Sequence, residues 1–479
     1  MNFNLIPALP EIFLTLMVIV LLLTDAFLKS NKQKIIKILA LFSIFFTLVL
    51  QIISFGIDPN SIIFNNMFIL DKLAQGTKVI TYLVSMVIII YVERYLEDKK
   101  ISIPEYYVIF LFAIIGMQIM ISANHMVVLY VGLELMSLSL YSLVAINRDD
   151  VVSSEAAMKF FILGSLASGL LLFGISFIYG STGGYLQLQD ISKTIYTHSI
   201  ISYPLLILGL VFVISGVAFK LGLVPFHMWL PDVYEGSSLS TTLIIASVTK
   251  IASVIFILRF LLMGLLYLNN YWTIMLEILA VSSLFIGNLI AISQTNIKRM
   301  LGYSAISHMG FIALGIMTLN GISISATIFY TIVYVITNLL LFGILIFLSH
   351  SHYECQVIDD LRGLNKTHPI YAGIILLTMF SLAGIPPLAG FYAKLNIILG
   401  LVNTNHIFLA IYAVLMSLIG AFYYLRIVKV MYFDDVNVDL QLAKISLSTK
   451  LVLAMNTILI LLIGLNPSNI ISFCNYIIR

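Results

Sequence analysis

Charge is scarce in this 479-residue chain: Asp, Glu, Lys and Arg make up only 10% of it, against 61% hydrophobic residues. Soluble domains carry about a quarter charged residues, and no water-facing surface of the usual kind can be built from so few. Cysteine is almost missing. Cys355 and Cys474 stand far apart, with no metal-ligand spacing and no pairing logic, so a disulfide-stapled secreted fold is excluded. There is no P-loop, no glycine fingerprint between a strand and a helix, no iron–sulfur spacing and no haem attachment motif. Disorder and collagen are excluded by the apolar composition, and nucleic-acid binding by a net charge of only +3. What remains is an all-α polytopic membrane protein.

A helix needs about 20 apolar residues to cross a bilayer. Such runs occur at 7–28, 36–56, 74–93, 104–122, 124–146, 154–180, 202–230, 238–266, 271–293, 300–319, 322–349, 368–400, 404–430 and 449–472, which predicts fourteen spans. The first is not read as a cleaved signal peptide, because it lacks a basic leader and carries Glu11 and Asp25. Sixteen of the 25 basic residues fall in one set of alternate loops: Lys29, Lys32, Lys34, Lys37, Arg94, Lys99, Lys100, Arg148, Lys298, Arg299, Arg362, Lys366, Arg426, Lys429, Lys444 and Lys450. The opposite set holds only Lys72, Lys78, Lys193 and Arg479. The positive-inside rule makes the first set cytoplasmic and places both termini outside. On that orientation Cys355 lies in a cytoplasmic connector, open to a thiol reagent from that side, and Cys474 lies at the external end of the last span.

Five basic residues remain inside apolar spans, Lys159, Lys220, Lys250, Arg259 and Lys394, together with the acid Glu134. Each charge at the bilayer centre costs about 2.5–3.5 kcal/mol. Glu134 and the four lysines together would cost on the order of 12–18 kcal/mol, more than a domain's usual net stability. They are expected to face a polar interior and to pair. Arg259, near the outer end of its span, is read as a snorkeller. Lys159, five residues into its helix, fits either an interfacial ion pair or the interior. Lysines out of water give up their charge readily, so buried ones can carry protons.

Two of these lysines accompany prolines, in GVAFKLGLVPFHMWLPDVYEG (216–236) and FSLAGIPPLAGFYAKL (380–395). Proline breaks a helix, and broken helices at membrane depth line wet cavities. Spans four to eight and nine to thirteen form two sets of five, each with a broken fourth member. Five is odd, so the sets are inverted relative to each other, as in transporters with a midplane site. The implied segments are 1–103, with three helices; 104–266, the first repeat; 271–430, the second; and 431–479, a connector with the last span. His308, in a span otherwise free of titratable centres, and His227, after Pro225, are plausible relay members. Gly164, Gly169, Gly174, Ser165 and Ser168 form a small-residue stripe that reads as helix packing. Tyrosines near span ends read as interface anchors.

NHMVVLYVGLELMSLSLYSLVA (124–145), SSEAAMKFFILGSLASGLLLFGISFIYGSTGG (153–184), the Lys220–Pro225 segment and GIPPLAGFYAKL resemble the antiporter-like membrane subunits of respiratory complex I, NADH-quinone oxidoreductase, and most closely the subunit N group. The likeness runs from residue 9 to the last span. It implies a coupling pair of Glu134 and Lys220, a central relay lysine in Lys250, a second half-channel at Lys394 and a modulating role for Lys159. His308 and Lys298 are looser carry-overs. It also implies proton pumping driven by quinone reduction elsewhere, with NADH, FMN, iron–sulfur clusters and quinone held by other subunits and no cofactor on this chain. The partners implied are neighbouring membrane-arm subunits and the lipid bilayer of a bacterial inner membrane. Two sibling groups differ: one ends in a long lateral helix, and another has Glu at the second broken helix. An Mrp-type cation/proton antiporter subunit shares the broken-helix plan. A membrane-embedded acyl or glycosyl transferase would need a larger substrate-holding loop than any here.

Overall fold

The computed structural model describes residues 5–28, 32–56, 61–101, 103–349, 354–436 and 446–478. Lys29, Lys444 and Arg479, counted above for orientation, lie outside them. Three helices open the chain, α1 (Leu9–Phe27), α2 (Lys32–Ile53) and α3 (Lys72–Asp98), with a small hairpin of β1 (Ser61–Ile63) and β2 (Phe68–Leu70) before α3. The next five spans contain α4 (Ile103–Ser122), α5 (Met126–Val144), α6 (Val151–Ser181), the short α7 (Leu188–Tyr196), α8 (Tyr203–Leu221), α9 (Trp229–Gly236), α10 (Leu239–Ala246) and α11 (Val248–Leu258). Five more follow in α12 (Asn269–Ser293), α13 (Ile297–Met317), α14 (Gly321–Leu348), α15 (Leu364–Thr367), α16 (Pro369–Ala383), α17 (Ala389–Asn403) and α18 (Ile407–Phe433). Then come α19 (Leu447–Leu465) and α20 (Ser468–Ile478).

Among the described residues, 13 helices are long and apolar enough to cross a membrane. The one remaining expected span, 368–400, is present as two shorter apolar helices, α16 and α17, with the Pro386–Pro387 pair between them. Burial sorts the helices into a centre and a rim. The stretch of α14 and that from Leu239 to Gly264 are enclosed on every side, whereas α18 and α19 keep most of their apolar surface outward. A helix that is apolar all round belongs inside a bundle, and α14 has that composition from Ala326 to Leu348.

The small-residue stripe of α6 packs as expected at one point and not at another. A side chain at Gly174 would sit 2.7 Å from the carbonyl oxygen of Gly209 on α8, and one at Gly209 would sit 2.9 Å from that of Gly174, so the two backbones touch. Gly169 has open space around it. A comparable contact joins α4 and α5, where Gly116 and Gly132 face each other.

Three expectations need correction. Arg259 is no snorkeller: it is buried and bonds Asp71 with both terminal nitrogens, at 3.0 and 2.7 Å. Asp71 comes from the loop before α3, where it also caps that helix through the Ala74 N–H, a long-range pairing that no local pattern displays. Lys78, counted among loop cations, lies inside α3, wholly buried and paired with Glu11 of α1. Cys355 and Cys474 are both buried, so neither thiol is open to a reagent from either side.

The Gly174–Gly209 contact leaves no room for a side chain. Gly174→Val is therefore expected to destabilise the bundle by roughly 1–3 kcal/mol, the usual cost of overpacking. Gly169→Val should leave stability unchanged. Thermal unfolding of the two variants in detergent checks the difference.

Candidate functional site: two lysine-capped helix breaks

The two broken helices end in the same way. Helix α8 stops at Leu221 and Gly222 turns left-handed, with φ of 81°. The Gly222 and Leu223 N–H groups both donate to the Ala218 carbonyl. Helix α16 stops at Ala383, Gly384 has φ of 84°, and the Gly384 and Ile385 N–H groups both donate to Phe380. Only glycine adopts that conformation freely, and the bonding is a Schellman-type stop. Gly222-Leu223-Val224-Pro225 thus matches Gly384-Ile385-Pro386-Pro387, and the peptide bonds before Pro225 and Pro387 are both cis.

A helix C-terminus presents carbonyls without partners and the negative end of the dipole. In lipid each of them needs a donor. Both breaks use a lysine on the carbonyl just before the glycine. Lys250 Nζ donates to Leu221 O at 3.3 Å. Lys394 Nζ donates to Ala383 O at 2.8 Å and to Ser417 Oγ at 3.0 Å. Trp229 Nε1 adds a bond to Phe219 O at 2.9 Å. The counterpart of Lys394 is therefore Lys250. Lys220, on the first broken helix, does not match Lys394 in register: it precedes its glycine, while Lys394 reaches back to its break from the far half-helix, α17.

Lys220 instead donates to Ser137 Oγ at 2.8 Å and to Tyr141 Oη at 3.4 Å. Both acceptors lie on the face of α5 that carries Glu134, three and seven residues on. Glu134 is half-buried and its Oε1 has no hydrogen-bond partner. No ion pair joins Glu134 to Lys220 among the described residues, although the two charges influence each other. The structure thus places the expected pair side by side and open.

Lys159 lies elsewhere. It is exposed and pairs with Glu155 at 2.8 Å and with Asp232 of α9 at 3.0 Å. Asp232 also takes Arg299 at 2.7 Å, and Arg299 takes Glu235 at 2.7 Å. This chain of charges ties α6, α9 and α13 together at the end of the bundle and does not reach Lys220. Lys298, counted as a loop cation, is buried. It donates to Ser237 O at 3.0 Å and pairs with Glu354 at 3.5 Å.

His308 sits among tyrosines, 2.7 Å from Tyr330 Oη through Nδ1 and 3.0 Å from Tyr424 Oη through Nε2. With Tyr330, Tyr334 and Ser381 it shares a small cavity with Lys394. His227 lies between the halves of the first break, with Nδ1 buried and unpartnered. Sequence reasoning missed these tyrosines, since it assigned tyrosine to span ends. The available signal was depth: Tyr330 and Tyr334 lie well inside α14. It also missed a third interruption. Ser247, with φ of −117° and ψ of −90°, separates α10 from α11 three residues before Lys250, with neither proline nor glycine to announce it. Among the described residues, no group of three or more His, Cys, Asp or Glu side chains could hold a metal ion.

Residues 123–420, which contain both breaks, match the family described as NADH:quinone oxidoreductase/Mrp antiporter, transmembrane, and the chain belongs to that family. It is 45% identical to the NADH-quinone oxidoreductase subunit N of Herminiimonas arsenicoxydans, over 99% of this chain and 98% of that one. Among solved structures it is similar to a chain of respiratory complex I from Thermus thermophilus, with a TM-score of 0.81, 27% identity and coverage of 97% and 98%. It also superposes on a chain of the Mrp complex from Dietzia sp., with a TM-score of 0.83 over 99% and 97%, but at 19% identity that likeness shows only the fold.

Burial pushes the Asp232 carboxyl up, but hydrogen bonds from Lys159 and Arg299 outweigh this and hold it below its ordinary 3.8. A lowered folded value means its stabilising contribution is complete above 3.8 and is lost only as pH falls through the folded value. The melting difference between the wild type and Asp232→Asn should therefore be flat from about pH 8 to about pH 5 and shrink only below about pH 4. A difference that changes near neutrality would remove Asp232 as a permanently charged anchor.

Proposed function

We infer that this chain is a proton-translocating membrane-arm subunit of a bacterial NADH-quinone oxidoreductase. It works beside neighbouring membrane-arm subunits, with NADH, FMN, iron–sulfur clusters and quinone handled by other subunits. The observation that carries the reading is the pair of helix breaks whose terminal carbonyls are held by ionisable lysines, in a chain that matches a subunit N relative from end to end. On this reading 104–266 and 271–430 are the two inverted repeats, and both termini face the outside of the inner membrane.

Glu134, Lys220, Lys250, His308 and Lys394 form the relay. Glu134 stands next to Lys220 but off it, and its free oxygen leaves it able to swing. When the carboxylate approaches, the Lys220 ammonium is stabilised and a proton is drawn from the cytoplasmic side. When it withdraws, Lys220 keeps only the neutral Ser137 and Tyr141 oxygens and passes its proton inward toward Lys250. The proton continues by the Tyr330–His308–Tyr424 cluster to Lys394 and leaves against about 2.3 kcal/mol per charge per 100 mV. Lys159 acts from the edge, setting the position of α9 through Asp232. A protonated Lys250 or Lys394 also caps its helix, so proton loss loosens that helix end and the relay becomes mechanical as well as electrical.

Glu134→Gln should leave the amount of assembled complex nearly unchanged and slow NADH-driven proton uptake in sealed vesicles. Normal pumping would remove Glu134 from the coupling step. Lys394→Ala and Lys394→Arg should both slow quinone reduction and pumping per assembled complex, because arginine retains a charge but cannot release a proton near neutral pH. Wild-type rates in Lys394→Arg would take Lys394 off the path.

A further inference from the structure

A second set of buried charges lies outside this relay, near the end of the bundle that holds the N-terminus. Glu11 of α1 pairs with Lys78 of α3, and Arg259 beyond α11 pairs with Asp71 at the start of α3. Lys78 is enclosed entirely, and Glu11 is 8% exposed. Lys78 also feels the charges of Arg259 and Asp71, which makes one electrostatic cluster of four.

A structural clamp for the first three helices would account for the ion pairs, but not for what surrounds them. Buried ion pairs are weak stabilisers compared with apolar packing, and a clamp gains most when every polar atom is bonded. Here the second carboxylate oxygen of Glu11 is buried with no hydrogen-bond partner. So is the hydroxyl of Tyr82, one turn beyond Lys78 and within the field of Glu11. On α4, which packs against α1, α3 and α11, Gln118 is fully buried with both amide atoms unpartnered, and Ser122 Oγ is the same. Orphaned polar atoms in an apolar bundle are the groups for which a bridging water would supply partners, and these mark a candidate route.

The two ends of the route are also in place. Lys250 and Arg259 lie nine residues apart, about 13 Å along the helix axis, and Arg259 Nε bonds the Ile121 carbonyl on α4, next to Ser122. Beyond the Asp71–Arg259 pair opens a cavity of about 420 Å³, lined by Asp71, Lys72, Arg259, Met263, Ile328 and Ile478.

We propose that Glu11 is a proton-release group serving the first repeat. A proton leaving Lys250 travels beside Gln118 and Tyr82 to the free oxygen of Glu11, then past Asp71–Arg259 into the cavity and the water outside. The Lys250 ammonium becomes an amine, and the Glu11 carboxylate becomes a carboxylic acid and then a carboxylate again; no other bond changes. The proposal rests on the relay reading above and adds an outlet that does not pass through Lys394.

Two variants test it in the intact oxidoreductase complex reconstituted in proteoliposomes. Glu11→Gln keeps the shape and a hydrogen bond to Lys78. The double variant Glu11→Gln with Lys78→Met leaves no unpaired charge behind. Protons pumped per NADH and quinone reduction are measured per assembled complex. Both variants should assemble and pump about 5- to 50-fold more slowly, less than the roughly 10²–10⁴ of losing a sole acid–base group, because the outlet at Lys394 remains. Glu11→Asp should recover part of the rate. Wild-type rates and stoichiometry in either variant would overturn the proposal. So would loss of assembly in both, or reduced assembly with normal turnover in what remains, since each assigns the pair to folding. Normal pumping in Lys394→Arg and Lys250→Arg would instead mark failure of the relay reading itself.

Discussion

A carbonyl oxygen at the end of a helix, inside a membrane, must find a donor. Among the described residues, two such ends, after Leu221 and after Ala383, meet the demand with a lysine Nζ. Much of the architecture follows from that choice. Gly222 and Gly384 are needed to stop the helices cleanly, and a side chain at Gly384 would press on the Lys394 stem. Neighbouring spans must approach closely enough to deliver the lysines, which favours touching backbones of the Gly174–Gly209 kind. The centre must be dry enough to make the caps valuable and polar enough to keep them charged. The enclosed α14 provides the first condition, and the Tyr330, Tyr334 and Tyr424 hydroxyls around His308 provide the second.

The parallel between Lys250 and Lys394 also separates two kinds of lysine. Lys220 bonds side-chain oxygens of a neighbouring helix, on the face that carries Glu134. Lys250 and Lys394 bond backbone, so their surroundings respond to the helices they cap. Lys159, joined to Asp232 at the bundle end, belongs to neither kind.

The fold was legible in the sequence because a bilayer imposes one length and one composition on every span, and because proline marks a break wherever it falls. That was enough for the spans and the two proline breaks. Partnerships between distant segments were not legible. Arg259 and Asp71 lie 188 residues apart in the sequence, so Arg259 looked like a lone cation near a helix end. Lys78 looked like a loop residue because it lies less than two turns beyond Lys72. Ser247 interrupts its span with neither proline nor glycine at the break. The site was half legible: the charged residues stood out against an apolar background, while the uncharged hydroxyls that join them were hidden among tyrosines of the ordinary interfacial type.

The interruption at Ser247 gives Lys250 an address that a continuous helix would not. It stands in the first turn of α11, where the backbone presents uncapped N–H groups, and its side chain reaches the last turn of α8, where the backbone presents carbonyls. Its own helix therefore disfavours the positive charge and its neighbour favours it. The residue sits between two opposed dipoles, so a shift of α8 or α11 along its axis changes the weight of one against the other.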